Sequence, residues 1–564
     1  MVYRAPVADM LFAMQQAAGA RSRLDPDLAA SILDEAAKVA EGALAPLFRI
    51  GDTQGARFEN GAVRTADGWR DAYGQWTAGG WMGVTASEAH GGMGLPHLIN
   101  AACLEMWNGA NMAFALAPLL GLGAIEALAA HGSQELRALY LPHIVSGEWS
   151  ATMNLTEPQA GSDLSALRTR AERNADGSYA ITGEKIYITY GEHDMTDNIV
   201  HLVLARLPDA PPGTRGISLF LAPKILPSGA RNGLRCSGIE HKMGIHGSPT
   251  CTMLYEGAQA WLIGEENRGL ACMFTMMNNA RLAVGLQGVG MAERATQTAL
   301  AFARERRQGH APGDAAAMSA IVHHPDVART LLAMQASTAA ARAICYMTAS
   351  AVDLSHDGET PEIRHAAQER AGLLTPVAKA YGADIANECA SLCVQVYGGM
   401  GFIEEAGAAQ LMRDARIAAI YEGTNGIQAI DLVMRKIGLS NGAALRAEIS
   451  RLRDALTRID PALAPCLAEA VDALERAGHW LASRLADQPA AALAGATPFL
   501  RLFALALGGV ALAQAAQAEG DAQGRWSVLA RFFAFDMASH ATALARSVED
   551  SAAAILAAAP LLEA

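Results

Sequence analysis

The residue best placed to do chemistry in this chain is Glu422, set in the run Ile420-Tyr421-Glu422-Gly423-Thr424-Asn425-Gly426-Ile427-Gln428. A carboxylate between an aromatic ring and a Gly-Thr pair, in apolar surroundings, gains a raised pKa and the capacity to act as a general base. The same run also fits a plain helix start, because Thr424 or Asn425 would cap the helix that follows. A glycine-rich run precedes it, Gln395-Val396-Tyr397-Gly398-Gly399-Met400-Gly401-Phe402, followed by Arg413-Asp414-Ala415-Arg416. Further upstream, the segment from Met153 through Leu155, Thr156 and Gly161 to Ser162 and Asp163 begins as a strand and ends in a Gly-Ser turn. Its consecutive N–H groups and the hydroxyls of Thr156 and Ser162 suit an anion or a heteroaromatic ring, although an ordinary connector has the same composition. Lys185-Ile186-Tyr187-Ile188-Thr189-Tyr190-Gly191 alternates so that Tyr187 and Thr189 share a strand face. Arg304-Glu305-Arg306-Arg307-Gln308-Gly309 closes a helix, where cations also complement the helix dipole.

Other chemistries lack their residues. Gly121-Leu122-Gly123 is followed by Glu126 where a dinucleotide fingerprint needs a third glycine, and no strand pattern precedes it. There is no Walker loop, no His-Glu-x-x-His and no Gly-x-Ser-x-Gly. His323-His324 stands before Pro325 without a carboxylate or thiolate at ligand spacing and reads as a helix-start loop. The eight cysteines are scattered with no Cys-x-x-Cys pair, which predicts reduced, mostly buried thiols and no metal site.

The scaffold for these runs follows from periodicity. From about Asp25 to Ile144 apolar residues recur at three- and four-residue spacing, as in Leu28, Ile32, Leu33, Ala36 and Val39, which predicts helices and loops. A glycine-rich break at Ala89–Gly94 interrupts them, and Pro96 offers a first-turn start for the next helix. Near Ser150 the pattern becomes short and alternating: Tyr179–Thr189 after the Asp176-Gly177 turn, Ile199–Ala205, and Gly216–Ala222 after Pro211-Pro212-Gly213. Helical spacing returns at Leu270 and runs through Arg281 to Arg307, then Val327–Leu354, Glu362–Val396 and Gly426–Ile437. Beyond Gly438 alanine-rich helices broken by Pro461, Pro465, Pro489 and Pro498 predict an appended module. The expected division is 1–150 helical, 151–265 β, 266–438 helical and 439–564 appended helical, a multidomain α+β chain.

Composition narrows the function classes. At 564 residues, 51% apolar and 18% charged, the chain has ample core and no mark of disorder. A net charge of −13 has the wrong sign for coating nucleic acid. The start, Met1–Gln16, is amphipathic and carries Arg4 and Asp9, unlike a secretion signal. The longest apolar runs, Met112–Ile125 with its Pro118 and two glycines, and Leu502–Ala513, fall short of a bilayer span of about 20 residues. The expectation is a cytoplasmic protein without membrane insertion.

With its four polar runs in this order and these elements around them, the chain from about Asp25 to Gly438 resembles the acyl-CoA dehydrogenase family. The resemblance implies an N-terminal helical domain, a middle β-barrel-like domain and a C-terminal four-helix domain. It implies FAD as cofactor and oxidation of the α,β bond of an acyl-CoA thioester, a reaction of fatty acid metabolism. Glu422 matches the catalytic base. Some relatives carry the base just before the arginine matching Arg281, but Ala280 stands there in this sequence. By the same resemblance Met153, Leu155, Thr156, Gly161 and Ser162 line the flavin and its pyrophosphate, and Tyr187, Ile188 and Thr189 pack beside its ring, Tyr187 standing where tryptophan is common. Arg306, Gln395, Gly398 and Gly399 hold the FAD of a neighbouring subunit, with Thr424 also on the cofactor side. Ser162, Arg281, Tyr421 and Gly423 are implied in substrate binding. A shared cofactor site implies a homodimer or a dimer of dimers, and the implied electron acceptor is an electron-transfer flavoprotein.

The sequence also departs from the family. His324-Pro325 replaces a His-Gln pair, and Gln308-Gly309 a threonine-bearing turn. The appended segment occurs in long members: very-long-chain enzymes, acyl-CoA oxidases, alkylation-response flavoproteins and a bacterial group acting on 3-methylthiopropanoyl-CoA. The start Tyr3-Arg4-Ala5-Pro6-Val7-Ala8-Asp9-Met10 looks most like the last group. An alkylation-response role needs a basic extension, whereas Asn441–Ala564 holds ten arginines, no lysine and thirteen acidic residues. An oxidase keeps the same glutamate and flavin and is separated by peroxide formation. A silent scaffold would not need Glu422 beside its Gly-Thr pair.

Overall fold

The computed structural model describes residues 3–18, 25–314 and 318–563; Met1 and Val2 of the amphipathic start lie outside them. The first third holds α1 (Val7–Ala18), α2 (Pro26–Val39), α3 (Leu47–Gln54), a hairpin of β1 (Arg57–Glu59) and β2 (Ala62–Arg64), α4 (Trp69–Ala78), α5 (His97–His131) and α6 (Gln134–Val145). The hairpin corrects the expectation of helices and loops alone. Asn60 and Gly61, both at positive φ (52° and 78°), make its two-residue turn, a local Asn-Gly signal. A second correction concerns α5: the apolar run Met112–Ile125, expected to fall short of a bilayer span, belongs to a longer apolar helix. Pro118 and the neighbouring glycines do not break it; the 35-residue helix kinks instead at Asn111, where φ is −162° and ψ 91°. α5 and a later 24-residue helix are long and apolar enough to cross a membrane, but 89% and 78% of their most apolar stretches are buried inside the protein. Burial in the core accounts for their hydrophobicity.

Seven strands follow: β3 (Trp149–Asn154), β4 (Arg170–Arg173), β5 (Tyr179–Thr189), β6 (Asn198–Arg206), β7 (Ile217–Pro223), β8 (Leu234–Ile239) and β9 (Thr250–Ile263). β6 pairs with β4, β4 with β5, β5 with β9, β9 with β7, and β7 again with β6, so the sheet closes on itself. β3 joins parallel to β6, and β8 antiparallel to β9. Val203, Ala205, Phe220, Ala222, Met253 and Tyr255 fill the interior.

The third region is α7 (Gly269–Glu305), α8 (Pro325–Asp357), α9 (Pro361–Tyr397), α10 (Ala408–Ala415) and α11 (Asn425–Asp431). Gly288 lets α7 approach α9 closely: a Cβ there would lie 2.1 Å from the Gly382 carbonyl oxygen. Side chains of the two long helices thereby meet around one loop. α5, α7 and α8 are tied by a buried charge cluster, with Arg342 bonded to Glu105 (2.6 Å) and Glu293 (2.8 Å), and Tyr346 donating to Glu105 (2.9 Å). The appended helices are α12 (Ala443–Leu456), α13 (Ala464–Arg484), α14 (Pro489–Ala494), α15 (Ala496–Glu519), α16 (Arg525–Phe532), α17 (Ala541–Asp550) and the short α18 (Ala552–Ala557) and α19 (Ala559–Leu562). α15 packs against α8, α9 and α11, and Arg501 pairs with Glu388 at 2.9 Å.

Candidate active site

Glu422 sits in the turn that enters α11. Its φ is 55° and that of Gly423 is 81°, so the chain reverses through two left-handed residues. A non-glycine residue in this region costs about 1–2 kcal/mol. The surroundings hold it there: the Tyr421 hydroxyl donates to Gln287 Oε1 on α7, and Gln428 Nε2 donates to the carbonyls of Glu422 (3.2 Å) and Gly423 (3.3 Å). Thr424 caps α11 by accepting the Ile427 N–H at 3.2 Å, so the capping reading of this residue holds.

Glu422 is half-buried, and among the described residues its carboxylate accepts no hydrogen bond and its backbone N–H finds no acceptor. Burial pushes its pKa up to about 7, against the pull of Arg281 and Lys379. Arg281 is buried and bonded to Asp431 at 3.1 Å, with Nε unpartnered. Lys379 is fully buried and donates to Asn425 Oδ1 at 3.0 Å. Arg281, Tyr421, Glu422, Gly423 and Thr424 thus form one locus between α7 and α9. Lys379 and Gln287, which stand in none of the polar runs, belong to it, as does Gln428 at the end of the Glu422 run. A lone cation in the apolar stretch Leu373–Ile385 was the available signal for Lys379.

A second locus lies on the barrel. The Ile186 N–H donates to the Thr156 carbonyl (2.9 Å) and Lys185 Nζ to the Leu155 carbonyl (2.9 Å), which fixes the segment containing Met153, Leu155, Thr156, Gly161 and Ser162 beside β5. The anchor is Glu157, within the same polar run, which bonds Lys185 (2.8 Å), the Thr169 hydroxyl (2.6 Å) and the Arg168 N–H (2.7 Å). Burial alone would raise its carboxyl, but these partners bring it down to about 2. Tyr187 stands at φ 61° in a register irregularity of β5 and is 59% exposed. A strained, outward aromatic on a rigid strand fits a planar ring group set against it. The Ile188 side chain is buried in the barrel core.

Arg306, Gln395, Gly398 and Gly399 form a third locus, all exposed, where the ends of α7 and α9 meet and Phe302 stacks on Tyr397 at 4.0 Å. Arg306, just past the end of α7, follows Arg281 by 25 residues, about 37 Å along the helix axis. Within one chain this locus is therefore remote from Glu422. Among the described residues no group of His, Cys, Asp and Glu suits a metal, and all eight cysteines are free.

Comparison with known proteins matches four consecutive family descriptions. These are acyl-CoA dehydrogenase N-terminal domain (29–148), middle domain (152–258) and C-terminal domain (267–437), then acetyl-CoA dehydrogenase C-terminal like (442–559). The chain is 47% identical over 527 residues to 3-methylmercaptopropionyl-CoA dehydrogenase of Ruegeria pomeroyi, covering 89% of each protein. Among solved structures it is similar to Caenorhabditis elegans ACDH-11 in complex with C11-CoA, with a TM-score of 0.80, 21% identity and coverage of 94% of this chain and 91% of that one. It is also similar to a chain in a structure of the electron transferring flavoprotein of Acidaminococcus fermentans, with a TM-score of 0.61, 27% identity and coverage of 73% and 97%. Four domain matches in order around the Glu422 locus show that this chain belongs to the acyl-CoA dehydrogenase family.

Proposed function

We propose that this chain is an FAD-dependent dehydrogenase of a short acyl-CoA thioester, with Glu422 as the base that removes the α-proton. One observation carries the reading: a half-buried carboxylate with no hydrogen-bond partner among the described residues, on a braced left-handed turn, with a pKa of about 7. A base poised near neutrality combines a useful ionised fraction with a real affinity for the proton. A thioester α-proton is too weakly acidic to leave without stabilisation of the enolate, so the free N–H of Glu422 is assigned to the thioester oxygen. FAD, when bound, supplies the oxidant that takes the β-hydride, leaving the trans-2-enoyl thioester.

The residues implied to hold FAD fit it in chemistry: the N–H-rich Met153–Ser162 segment, the outward Tyr187 and Thr189, and, from a second copy, Arg306, Gln395, Gly398 and Gly399. Phe402, 88% exposed beside this last group, supports burial against that copy, and with it a homodimer or a dimer of dimers. The name of the Ruegeria pomeroyi relative supports a 3-methylthiopropanoyl substrate, and the Acidaminococcus fermentans neighbour supports an electron-transfer flavoprotein as acceptor.

The test is a series of acyl-CoA thioesters, one of them 3-methylthiopropanoyl, mixed anaerobically with the yellow holoenzyme. Bleaching of the flavin is expected, fastest with short and methylthio chains, followed by reoxidation by an electron-transfer flavoprotein without peroxide. No bleaching by any thioester would overturn the reading, and stoichiometric peroxide in air would make the enzyme an oxidase.

A further inference from the structure

A buried ammonium behind the Glu422 turn has no part in the mechanism so far. Lys379 lies in the middle of α9 with no exposed surface, and its bond to Asn425 places it at the first residue of α11, three positions after Glu422. Asn425 in turn donates to Asp384 (2.6 Å) and to the Ala380 carbonyl (3.1 Å), both on α9. Three side chains therefore clamp the exit of the turn, while Gln428 holds its carbonyls. A single neutral amide oxygen is a poor exchange for the water that a buried ammonium has given up. Negative charge nearby completes the balance.

We propose that Lys379 is a positioning residue for proton abstraction: through Asn425 it fixes the turn that carries Glu422, and its ammonium holds that carboxylate in the ionised, proton-accepting form. The proposal rests on Glu422 as the base and adds the residue that keeps it ready. Burial lowers Lys379 to about 8, with Glu422 and Asp384 acting in the opposite sense. The other charged and titratable groups around the pair are Arg281 on α7, Tyr421 beside Glu422, Asp431 and Arg435 beyond α11, and Arg501 of α15 toward Asp384. Arg281, the larger pull on Glu422, is committed to Asp431, and Arg501 to Glu388, which leaves Lys379 as the cation acting on Glu422 without a carboxylate bound to it among the described residues.

The experiment uses Lys379→Met and Lys379→Gln holoenzymes, the second keeping a donor for Asn425 while removing the charge. Flavin bleaching by a saturating acyl-CoA is followed from pH 5 to 9, alongside the infrared carboxylic-acid band that Glu422→Gln abolishes. Both variants are expected to retain FAD, to shift the midpoint of the bleaching profile upward by at least one pH unit, to slow bleaching about fivefold or more at pH 7, and to keep the acid band to correspondingly higher pH. Lys379→Arg is expected to restore the midpoint. Neutral variants that titrate like the wild type, in rate and in infrared band, would overturn the role of Lys379. Bleaching that persists in Glu422→Gln would instead overturn the base assignment, leaving the infrared comparison to judge Lys379 by itself. If Lys379→Met does not fold, Lys379→Gln carries the same comparison.

Discussion

Two clusters of charge that share the long helix α7 behave in opposite ways. Around Arg342 every partner is answered: Glu105 receives the guanidinium and the Tyr346 hydroxyl, and Glu293 takes a further N–H. Around Glu422 the bonds go to the backbone and to neighbouring side chains, while the Glu422 carboxylate, Gln287 Nε2, Gln428 Oε1 and Arg281 Nε are left without hydrogen-bond partners among the described residues. Buried polar groups are normally paired, and the proposed role of Glu422 gives the unpaired atoms around it a reason that the Arg342 cluster does not need. The first cluster joins α5, α7 and α8; the second is the one proposed to receive a substrate.

Mutations sharpen the contrast. Arg342→Met leaves two carboxylates buried without their cation and should cost about 3–5 kcal/mol, read as a lower midpoint of denaturant unfolding. A loss below 1 kcal/mol would deny the cluster its structural role. On the barrel, Glu157→Gln should cost about 3 kcal/mol at neutral pH and make FAD easier to remove. Because the folded-state pKa of Glu157 is depressed from 4.5 to about 2, its contribution is present above the unfolded value and fades as the pH falls from about 5 toward 2. Acid titration of stability should therefore be shallower in Glu157→Gln over that window. The smallest effect on stability is expected at the turn itself. Gly423→Ala must keep φ 81° with a Cβ 2.9 Å from Gln428 Nε2, a cost of about 1–2 kcal/mol. Flavin bleaching should nevertheless slow roughly tenfold or more, because displacement of a reacting group is punished more heavily than strain. Equal bleaching rates would show that the brace does not set the geometry.

Much of this organisation was legible in the chain. Strong alternation gave Tyr179–Thr189 its limits, and long helical periodicity gave α7, α8 and α9. The Asn60-Gly61 hairpin escaped because its flanking strands are only three residues long and carry little alternation. The length of α5 was hidden for a different reason: within a fully buried helix the neighbouring segments enforce continuity through Pro118 that local propensity would refuse. Glu422 was visible by its glycine and hydroxyl neighbours. The roles of Lys379, Gln287 and Glu157 were not, since each works through a partner 28 to 134 residues away, and no local spacing records such a contact.

The most direct measurement is flavin reduction in Glu422→Gln. The substitution preserves shape and removes only the capacity to accept a proton. The variant should bind FAD and acyl-CoA like the wild type yet lose bleaching by roughly 10²–10⁴-fold, while wild-type reduction rises with pH through a midpoint near 7. Bleaching at a near wild-type rate, or a wild-type rate flat from pH 5 to 9, would contradict the assignment of this carboxylate as the base.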